Sequence, residues 1–291
     1  MDLCDIRTIK ALLGRHGFRF SKSMGQNFLI EDWVPRDIAD ASGASPDSGV
    51  LEIGPGIGSL TAQLCARAGK VAAVELDRSL LPVLAETMAD FDNFTLIPGD
   101  ILKLDIPELV DREFPGLTPL VCANLPYNIT TPVLTALVEA RRFQTITVMI
   151  QREVALRIAA RAGSSDYGAF SVYMQYHTEP EVLFDVPPSC FLPVPKVTSA
   201  VLRCRVRPAP AVSPACGEAF FFRTVRGAFA QRRKTLLNSL SSAFAGQLDK
   251  RQIAAVIAGC GLEETIRGER LGLEEFAALA DGLWYALGNG G

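Results

Sequence analysis

The sequence predicts an α/β protein in which a doubly wound, mainly parallel sheet is followed by a small all-helical domain. Short apolar runs alternate with helical patterns through the first part of the chain, which is typical of parallel strands joined by crossover helices. A glycine-rich turn follows the first apolar run. Residues 217–291 carry helical patterns and no strand pattern. These three observations define the predicted fold class.

The predicted elements follow one another in a regular order. An N-terminal helix over 3–16 and a helix near 33–42 precede the alternating region. Apolar runs and periodicity then predict strands over 50–53, 70–75, 94–97, 119–123 and 144–150, helices over 59–68, 78–89, 131–140 and 152–161, and a helix or loop near 107–114. Two longer strands, over 170–186 and 197–206, flank a proline-rich segment and are expected to close the sheet as a hairpin.

A change in composition divides the chain into two domains. Residues 208–214 contain three prolines and no strand or helix pattern, as linkers do. We therefore expect an α/β domain over 1–207 and a small helical domain over 208–291. A length of 291 residues with 48% hydrophobic residues is enough for two such domains, each with its own core.

Composition excludes several classes of protein. No apolar run approaches the ~18 residues of a membrane span, and the charged N-terminus lacks a signal-peptide core. The seven cysteines form no Cys-x-x-Cys pair, and the chain has two histidines, so we expect reduced thiols and no metal site. The chain is expected to be cytoplasmic and monomeric, with no membrane partner.

Charge is distributed unevenly along the chain. The formal net charge is −3, which alone argues against a nucleic-acid partner. Residues 141–240, however, contain 14 Lys and Arg against 6 Asp and Glu. A local basic zone of this kind is typical of proteins that contact a phosphate backbone, although solvated helix faces would produce the same count.

The glycine turn points to a nucleotide-like ligand. The run from Val50 to Ile53 ends in Gly54-Pro55-Gly56-Ile57-Gly58, and a helical pattern starts at Ser59. Glycines let the backbone adopt unusual angles and let a ligand approach closely. The dinucleotide fingerprint needs Gly-x-Gly-x-x-Gly, and here the third glycine comes one residue early, which disfavours a dehydrogenase. With Glu52 ahead of it, the motif resembles the first motif of S-adenosylmethionine-dependent methyltransferases.

A second acid occurs where such a cofactor needs one. Glu75 ends the predicted strand 70–75 and lies 21 residues after Gly54. A carboxylate at the end of the second parallel strand can accept both ribose hydroxyls of a bound nucleoside. Asp100 follows the third strand and is placed to accept from the adenine amino group, unless it is an ordinary turn residue.

The most specific motif is Asn124-Leu125-Pro126-Tyr127, after the fourth parallel strand. The motif suits the transfer of a methyl group to an amino group on a base. An exocyclic adenine amine is a poor nucleophile because its lone pair is delocalised into the ring. Two acceptors, the Asn124 side-chain oxygen and the Leu125 carbonyl, can hold its N–H groups so that the lone pair faces a methyl donor. Pro126 stiffens the turn, and Tyr127 can stack on the base.

Two further candidates have simpler alternatives. Phe191, in the proline-rich segment, could form the second wall of a base pocket or belong to the core. Gln231-Arg232-Arg233-Lys234, predicted on a helix of the small domain, could bind phosphates or form a solvated helix end.

Together these motifs resemble the small-subunit (16S) ribosomal RNA adenine N6-dimethyltransferase family over nearly the whole chain. Gly25-Gln26-Asn27-Phe28-Leu29 is similar to the family's N-terminal cofactor lid, and RRKTLLNSL (232–240) and RGERLGLEEFAALA (267–280) are similar to its C-terminal signature. Members methylate N6 of two adjacent adenines in a hairpin near the 3′ end of 16S rRNA. The resemblance implies a Rossmann-like methyltransferase sheet and S-adenosylmethionine as cofactor.

The resemblance also implies residue roles. The residues expected to contact the cofactor are Asn27, Leu29, Gly54, Gly56, Glu75, Asp100 and Asn124. Those expected at the target adenine are Asn124, Leu125, Tyr127 and Phe191, and Arg232, Arg233 and Lys234 are expected to bind RNA. The implied partner is small-subunit rRNA in an assembling particle.

Two other functions stay open at this point. One is the related large-subunit methyltransferase of the macrolide-resistance type, which shares the glycine turn and an Asn-x-Pro-Tyr-type motif. The C-terminal segments favour the small-subunit enzyme over it. The other is a non-catalytic ribosome-assembly factor, which the complete set of Glu75, Asp100 and Asn124 disfavours.

Overall fold

A computed structural model describes residues 1–18, 26–231 and 233–289. Within these ranges the α-helices are α1 (Ile6–Arg15), α2 (Trp33–Ala41), α3 (Ser59–Cys65), α4 (Leu81–Thr87), α5 (Ile106–Glu113), α6 (Thr130–Glu139), α7 (Arg152–Ala159), α8 (Ala169–His177), α9 (Gly217–Phe229), α10 (Leu236–Ala243), α11 (Lys250–Gly259) and α12 (Leu273–Ala286). The strands are β1 (Phe28–Leu29), β2 (Ser48–Ile53), β3 (Lys70–Glu75), β4 (Phe94–Pro98), β5 (Thr118–Asn124), β6 (Thr145–Gln151), β7 (Thr178–Val186), β8 (Phe191–Leu192) and β9 (Ser199–Val206).

The seven-stranded sheet confirms the predicted α/β fold. Its strand order is β4-β3-β2-β5-β6-β9-β7. Strands β2 to β6 pair in parallel, and β9 pairs antiparallel with β6. The chain leaves β2 toward one edge and returns to β5 on its other side, so the strand order reverses between β2 and β5. Ligands of such sheets bind outside the carboxyl ends of the strands at this reversal.

The central strands are mainly apolar because both of their faces are covered. All six residues of β2 are buried, and five of the six residues of β3 are buried. Parallel strands covered on both sides read as unbroken hydrophobic sequence rather than as alternation. For this reason the five predicted parallel strands match the observed ones to within two residues at each end.

The chain divides into two compact units. One unit comprises Met1–Ala155 and Glu181–Val206, and the other comprises Leu156–Pro180 and Arg207–Gly291. The sequence analysis assigned 156–180 to the first domain, whereas these residues cluster with the C-terminal helices. Composition identifies the linker after 207 but contains no signal for an excursion of the chain within the predicted first domain.

The predicted strand over 170–186 is wrong in its first half. Residues Ala169–His177 form α8, and the strand begins only at Thr178. The segment is rich in aromatic residues, which favour strands. In the second unit, however, Tyr173 and Tyr176 of α8 contact aromatic rings of α9, with centroid distances of 5.3 Å to Phe222 and 5.1 Å to Phe221. This tertiary packing overrides the local preference.

The C-terminal part of the second unit confirms the predicted helical region. Four α-helices, α9 to α12, occupy its described residues from 217 onward. Their core includes Phe221, Leu240, Ile257 and Phe276, each fully buried. Arg223 lies over the ring of Phe244, 4.6 Å from the centroid, and covers the edge of this core.

Candidate active site

The glycine turn after β2 holds its glycines in conformations that other residues rarely adopt. Gly54, Gly56 and Gly58 have φ angles of 68°, 62° and 94°. A Cβ atom on Gly58 would lie 2.7 Å from Cε of Met88, so a side chain there would disturb both backbone and packing. The turn therefore requires glycine, and it leads directly into α3 at Ser59.

Glu75, the last residue of β3, is bonded to the glycine turn. One carboxylate oxygen accepts from the backbone N–H of Gly56 at 3.4 Å, and the other accepts from the N–H of Asp77 at 2.8 Å. Burial raises the pKa of the Glu75 carboxyl, and the two hydrogen bonds oppose that shift. The structure thus brings the predicted carboxylate and the predicted glycine turn together.

A second carboxyl group, that of Glu52, lies in the middle of buried β2 and lines the same cavity. Glu52 is 1% exposed, and its Oε2 atom has no hydrogen-bond partner within the described part of the chain. Burial raises the pKa of this carboxyl to about 8, the charge of Glu75 acts in the same direction, and Thr61 opposes it. Glu52 entered the sequence argument only as the acid of the methyltransferase motif, without a contact of its own, although an acid within an apolar strand is a signal for a role.

The N-terminal segment borders the cavity through two contacts. The side-chain nitrogen of Gln26 donates to Oδ2 of Asp77 at 2.6 Å. Strand β1 pairs antiparallel with β8, with Leu29 opposite Phe191. Asn27 and Leu29 line the cavity as the lid resemblance implies. Gly25, the first residue of that motif, lies outside the described residues.

The turn after β5 is held at several points. The N–H of Leu125 donates to the carbonyl of Met149 on β6 at 3.1 Å, which continues the sheet by one residue. Pro126 has a φ of −57°, and a single 3-10 turn over Tyr127–Ile129 follows. The hydroxyl of Tyr127 lies 2.7 Å from Oγ of Ser199. The backbone around the motif is therefore held by contacts within the protein.

The orientation of the Asn124 amide follows from its contact. Its side-chain nitrogen donates to the backbone carbonyl of Asn27 at 3.4 Å. A carbonyl can only accept, so the contact assigns the nitrogen to this side of the amide and leaves Oδ1 as an acceptor. An acceptor at this position is the group that the sequence analysis required of Asn124.

Most of the predicted site residues meet at one cavity in the first unit. The cavity is lined by the carboxyl ends of β2, β3 and β5, by the turn after β4 and by the N-terminal segment. Its lining includes Asn27, Leu29, Gly54, Gly56, Glu75, Asp100, Asn124, Leu125 and Tyr127. Asp100 is also engaged locally, since its carboxylate accepts from the N–H of Leu102 at 3.1 Å and lies 3.7 Å from Nζ of Lys103.

Phe191 is not among the residues that line this cavity. It is 1% exposed and belongs to a hydrophobic cluster with Leu29, Val186 and Val201. Its position opposite Leu29 in the β1–β8 pair puts it in the core of the first unit. In this structure Phe191 therefore supports the N-terminal segment rather than forming a wall of the cavity.

The described residues of the basic segment, Gln231, Arg233 and Lys234, are not helical. Arg233 and Lys234 are exposed in the connection between α9 and α10, outside both helices, which corrects the prediction of a helix there. Arg232 lies outside the described residues. Helix α10 starts only after Thr235, whose hydroxyl caps it by accepting from the N–H of Asn238. The Thr cap defines a new helix start, a boundary that the charge pattern obscured.

No group of three or more His, Cys, Asp or Glu side chains could hold a metal ion in ranges 1–18, 26–231 and 233–289. No helix in the same ranges is long and apolar enough to cross a membrane.

The strand order, the glycine turn and the carboxylate after β3 define a Rossmann-like methyltransferase. The sequence profile of the ribosomal RNA adenine dimethylase family matches residues 17–269, so the chain belongs to that family. It is 46% identical over 289 residues to Ribosomal RNA small subunit methyltransferase A of Geobacillus sp. (strain WCH70), a match covering 98% of this chain and 99% of that protein.

Solved structures show the same fold. The crystal structure of the 23S rRNA methyltransferase ErmE is similar with a TM-score of 0.67 and 28% identity, covering 88% of this chain and 99% of that one. The crystal structure of a dimethyladenosine transferase from Plasmodium falciparum has a TM-score of 0.69 at 24% identity, over 86% of this chain and 95% of that one, and shows the shared fold.

Proposed function

We propose that this enzyme transfers methyl groups from S-adenosylmethionine to N6 of two adjacent adenines in the 3′-terminal hairpin of small-subunit rRNA. The products are N6,N6-dimethyladenosines, and the substrate is an assembling small subunit in the cytoplasm. The observation that carries the proposal is the orientation of Asn124, whose Oδ1 atom is left as an acceptor in the cavity that Glu75 and the glycine turn also line.

The residues of the cavity fit the proposed cofactor. S-adenosylmethionine supplies, when bound, an electrophilic methyl group on a positively charged sulfur. Glu75 would accept from its ribose hydroxyls, Asp100 from its adenine amino group, and the turn containing Gly54 and Gly56 would pass along its methionine part. The unpartnered Oε2 atom of Glu52 is a further acceptor that suits a cationic ligand, because a nearby positive charge favours the ionised carboxylate.

The motif at Asn124 fits the proposed target. The amine of adenine needs no strong base, but it needs its N–H groups held so that the lone pair is directed at the methyl group. Asn124 Oδ1 would accept one N–H, and the carbonyl of Leu125, whose own N–H is bonded to Met149, would accept the other. Tyr127 would stack on the base. Positioning and hydrogen bonding then provide most of the catalysis.

The choice of small-subunit rRNA rests on the relatives. Proteins named Ribosomal RNA small subunit methyltransferase A are 44–46% identical to this chain over 93–98% of its length. The similar 23S rRNA methyltransferase structure is 28% identical, and it keeps a large-subunit target as the second candidate. Arg233 and Lys234, both exposed, would contact phosphates, and an adenine in a loop can be turned out of its stack at low cost.

The experiment is transfer of radiolabelled methyl groups from S-adenosylmethionine to unmethylated small subunits, large subunits and free rRNA, with identification of the product nucleosides. We expect N6,N6-dimethyladenosine in small-subunit particles only. Label in large-subunit RNA would instead support the macrolide-resistance type of enzyme. No label in any RNA, with cofactor binding retained, would reject catalysis and leave a non-catalytic assembly role.

A further inference from the structure

A hydrogen bond links the tyrosine of the Asn124 motif to a residue 72 positions further along the chain. The hydroxyl of Tyr127 and Oγ of Ser199 are 2.7 Å apart. Tyr127 lines the cavity and is partly exposed, whereas Ser199 is fully buried. One hydrogen bond therefore connects a partly exposed residue of the site to the interior of the first unit.

Ser199 is held in place by the sheet. It is the first residue of β9 and lies opposite Gln151, the last residue of β6. The preceding residue, Thr198, accepts a backbone hydrogen bond from Arg152 at 3.0 Å. Because the backbone on both sides is paired, Ser199 is a rigid anchor, and its hydroxyl restricts the ring of Tyr127 to a narrow range of positions.

We propose that Ser199 is a positioning residue that fixes the ring of Tyr127 and thereby governs the second methyl transfer to each adenine. The inference rests on the proposed function, in which the base stacks on Tyr127 while its amine faces the acceptors at Asn124 and Leu125. The sequence analysis assigned Ser199 no role, since no spacing rule connects it with Tyr127.

The second transfer should depend more on Tyr127 because its substrate, N6-methyladenine, differs from the adenine of the first transfer. Unmethylated adenine offers two N–H donors, so both acceptors can orient its amine. In the first transfer the N–CH₃ bond forms as the S–CH₃ bond of S-adenosylmethionine breaks, S-adenosylhomocysteine is the leaving group, and one N6 proton is released to solvent. A single N–H donor is then left. The orientation of N6-methyladenine therefore depends more on the stacking surface. A tyrosine free to tilt should impair the second transfer more than the first, and monomethylated product should accumulate.

The test uses Tyr127→Phe, Ser199→Ala and the double variant, assayed on the full-length enzyme with unmethylated small subunits. Tyr127→Phe removes only the hydroxyl and keeps the aromatic face. We expect the ratio of the second-transfer rate to the first-transfer rate to fall about tenfold in each variant, the effect of one lost hydrogen bond. In Ser199→Ala, a substitution outside the lining of the cavity, the first transfer and the KM for S-adenosylmethionine should change less than about threefold. The double variant should behave as each single variant does, because the same bond is removed.

Thr147→Val is the matched control. Thr147 is fully buried on β6, next to β9, and its hydroxyl has no partner among the described residues. The substitution Thr147→Val should leave the ratio of monomethylated to dimethylated adenosine unchanged. A wild-type ratio in Tyr127→Phe and Ser199→Ala, equal losses in both transfers, or additive effects in the double variant would each overturn the inference. A wild-type enzyme that forms no dimethyladenosine would reject the proposed function itself, and this inference with it.

Discussion

The side-chain nitrogen of Asn124 donates to the backbone carbonyl of Asn27, 3.4 Å away and 97 residues earlier in the chain. This contact joins the N-terminal segment to the carboxyl end of β5. It also determines which end of the Asn124 amide is available for a ligand. The chemistry proposed for Asn124 therefore depends on a residue outside its own motif.

Replacing Asn124 should lower the rate of methyl transfer without lowering the stability of the fold. Asn124→Ala removes the proposed acceptor, and we expect methyl transfer to fall by about 10²–10³-fold, as when one preorganised polar contact to the reacting group is lost. Cofactor affinity should fall much less, and the melting temperature should stay near that of the wild type. Single-turnover methylation and cofactor titration measure these quantities. Full turnover by Asn124→Ala would reject the proposal that Asn124 accepts a hydrogen bond from the adenine amine.

Glu75 should act on affinity rather than on the chemical step. Glu75→Gln keeps the shape but loses the charge that strengthens hydrogen bonds to hydroxyl donors, a loss of ~1.5–3 kcal/mol. We expect the Kd for S-adenosylmethionine to rise by tenfold or more, with a smaller change in the rate at saturation. Isothermal titration calorimetry measures the Kd. Glu108→Gln on α5, whose side chain is exposed, is the control, and unchanged affinity in Glu75→Gln would reject the ribose assignment.

The raised pKa of Glu52 predicts that the ligand-free protein loses stability as pH rises. Its pKa is about 8 in the folded state, above the ordinary glutamate value, so the folded state binds the proton more tightly than the unfolded state does. The free energy of unfolding should therefore fall between about pH 5 and pH 8, with a slope of up to ~1.4 kcal/mol per pH unit. Burial also raises the pKa of Glu75, which adds to the same trend.

Urea unfolding at several pH values tests this prediction. Glu52→Gln carries no titrating group, so its stability should depend less on pH, and above pH 8 it should exceed that of the wild type. Glu153→Gln, at an exposed position on α7, should retain the wild-type slope. An unchanged slope in Glu52→Gln would show that this carboxyl titrates normally.

Gly58 of the glycine turn and Gly14 of α1 offer a pair of alanine substitutions with opposite expected effects on the free energy of unfolding. Gly58→Ala combines a φ of 94° with a clash against Met88, and it should destabilise the protein by ~1–3 kcal/mol. Gly14→Ala, in α1, meets no atom within 4 Å and should stabilise it by ~0.5–1 kcal/mol. Both values come from urea unfolding. Equal effects of the two substitutions would contradict the account of the turn.

The basic segment predicts a salt-dependent loss of RNA binding. Arg233→Ala combined with Lys234→Ala should weaken binding to small-subunit rRNA, and each substitution should reduce the slope of log K against log salt by about one. Cofactor affinity should not change. Lys250→Ala combined with Arg251→Ala, at exposed positions on α11, is the matched control. Equal losses in the two double variants would indicate a general charge effect.

Some features of this protein can be predicted from the sequence because they are local. The parallel strands are mainly apolar runs, and the glycine turn and the motif at Asn124 each follow such a run directly. In a parallel sheet the carboxyl ends of strands share one edge. The proximity of Gly54, Glu75 and Asn124 therefore follows from the strand pattern alone, and the cavity agrees with it.

Other features depend on long-range packing. Aromatic residues suited to a strand form α8 because they contact rings of α9. Phe191 was expected at the base pocket, yet its pairing opposite Leu29 places it in the core. A residue's propensity is the same in both environments, so it cannot distinguish them.

The sequence by itself determined the α/β class, the positions of the parallel strands along the chain and the residues at their carboxyl ends, because these depend on periodicity and strand direction. Only the tertiary structure decided the burial of Glu52, the orientation of the Asn124 amide and the anchoring of Tyr127 by Ser199. Each of these is set by atoms from segments far apart in the chain, and no local pattern encodes which of them meet.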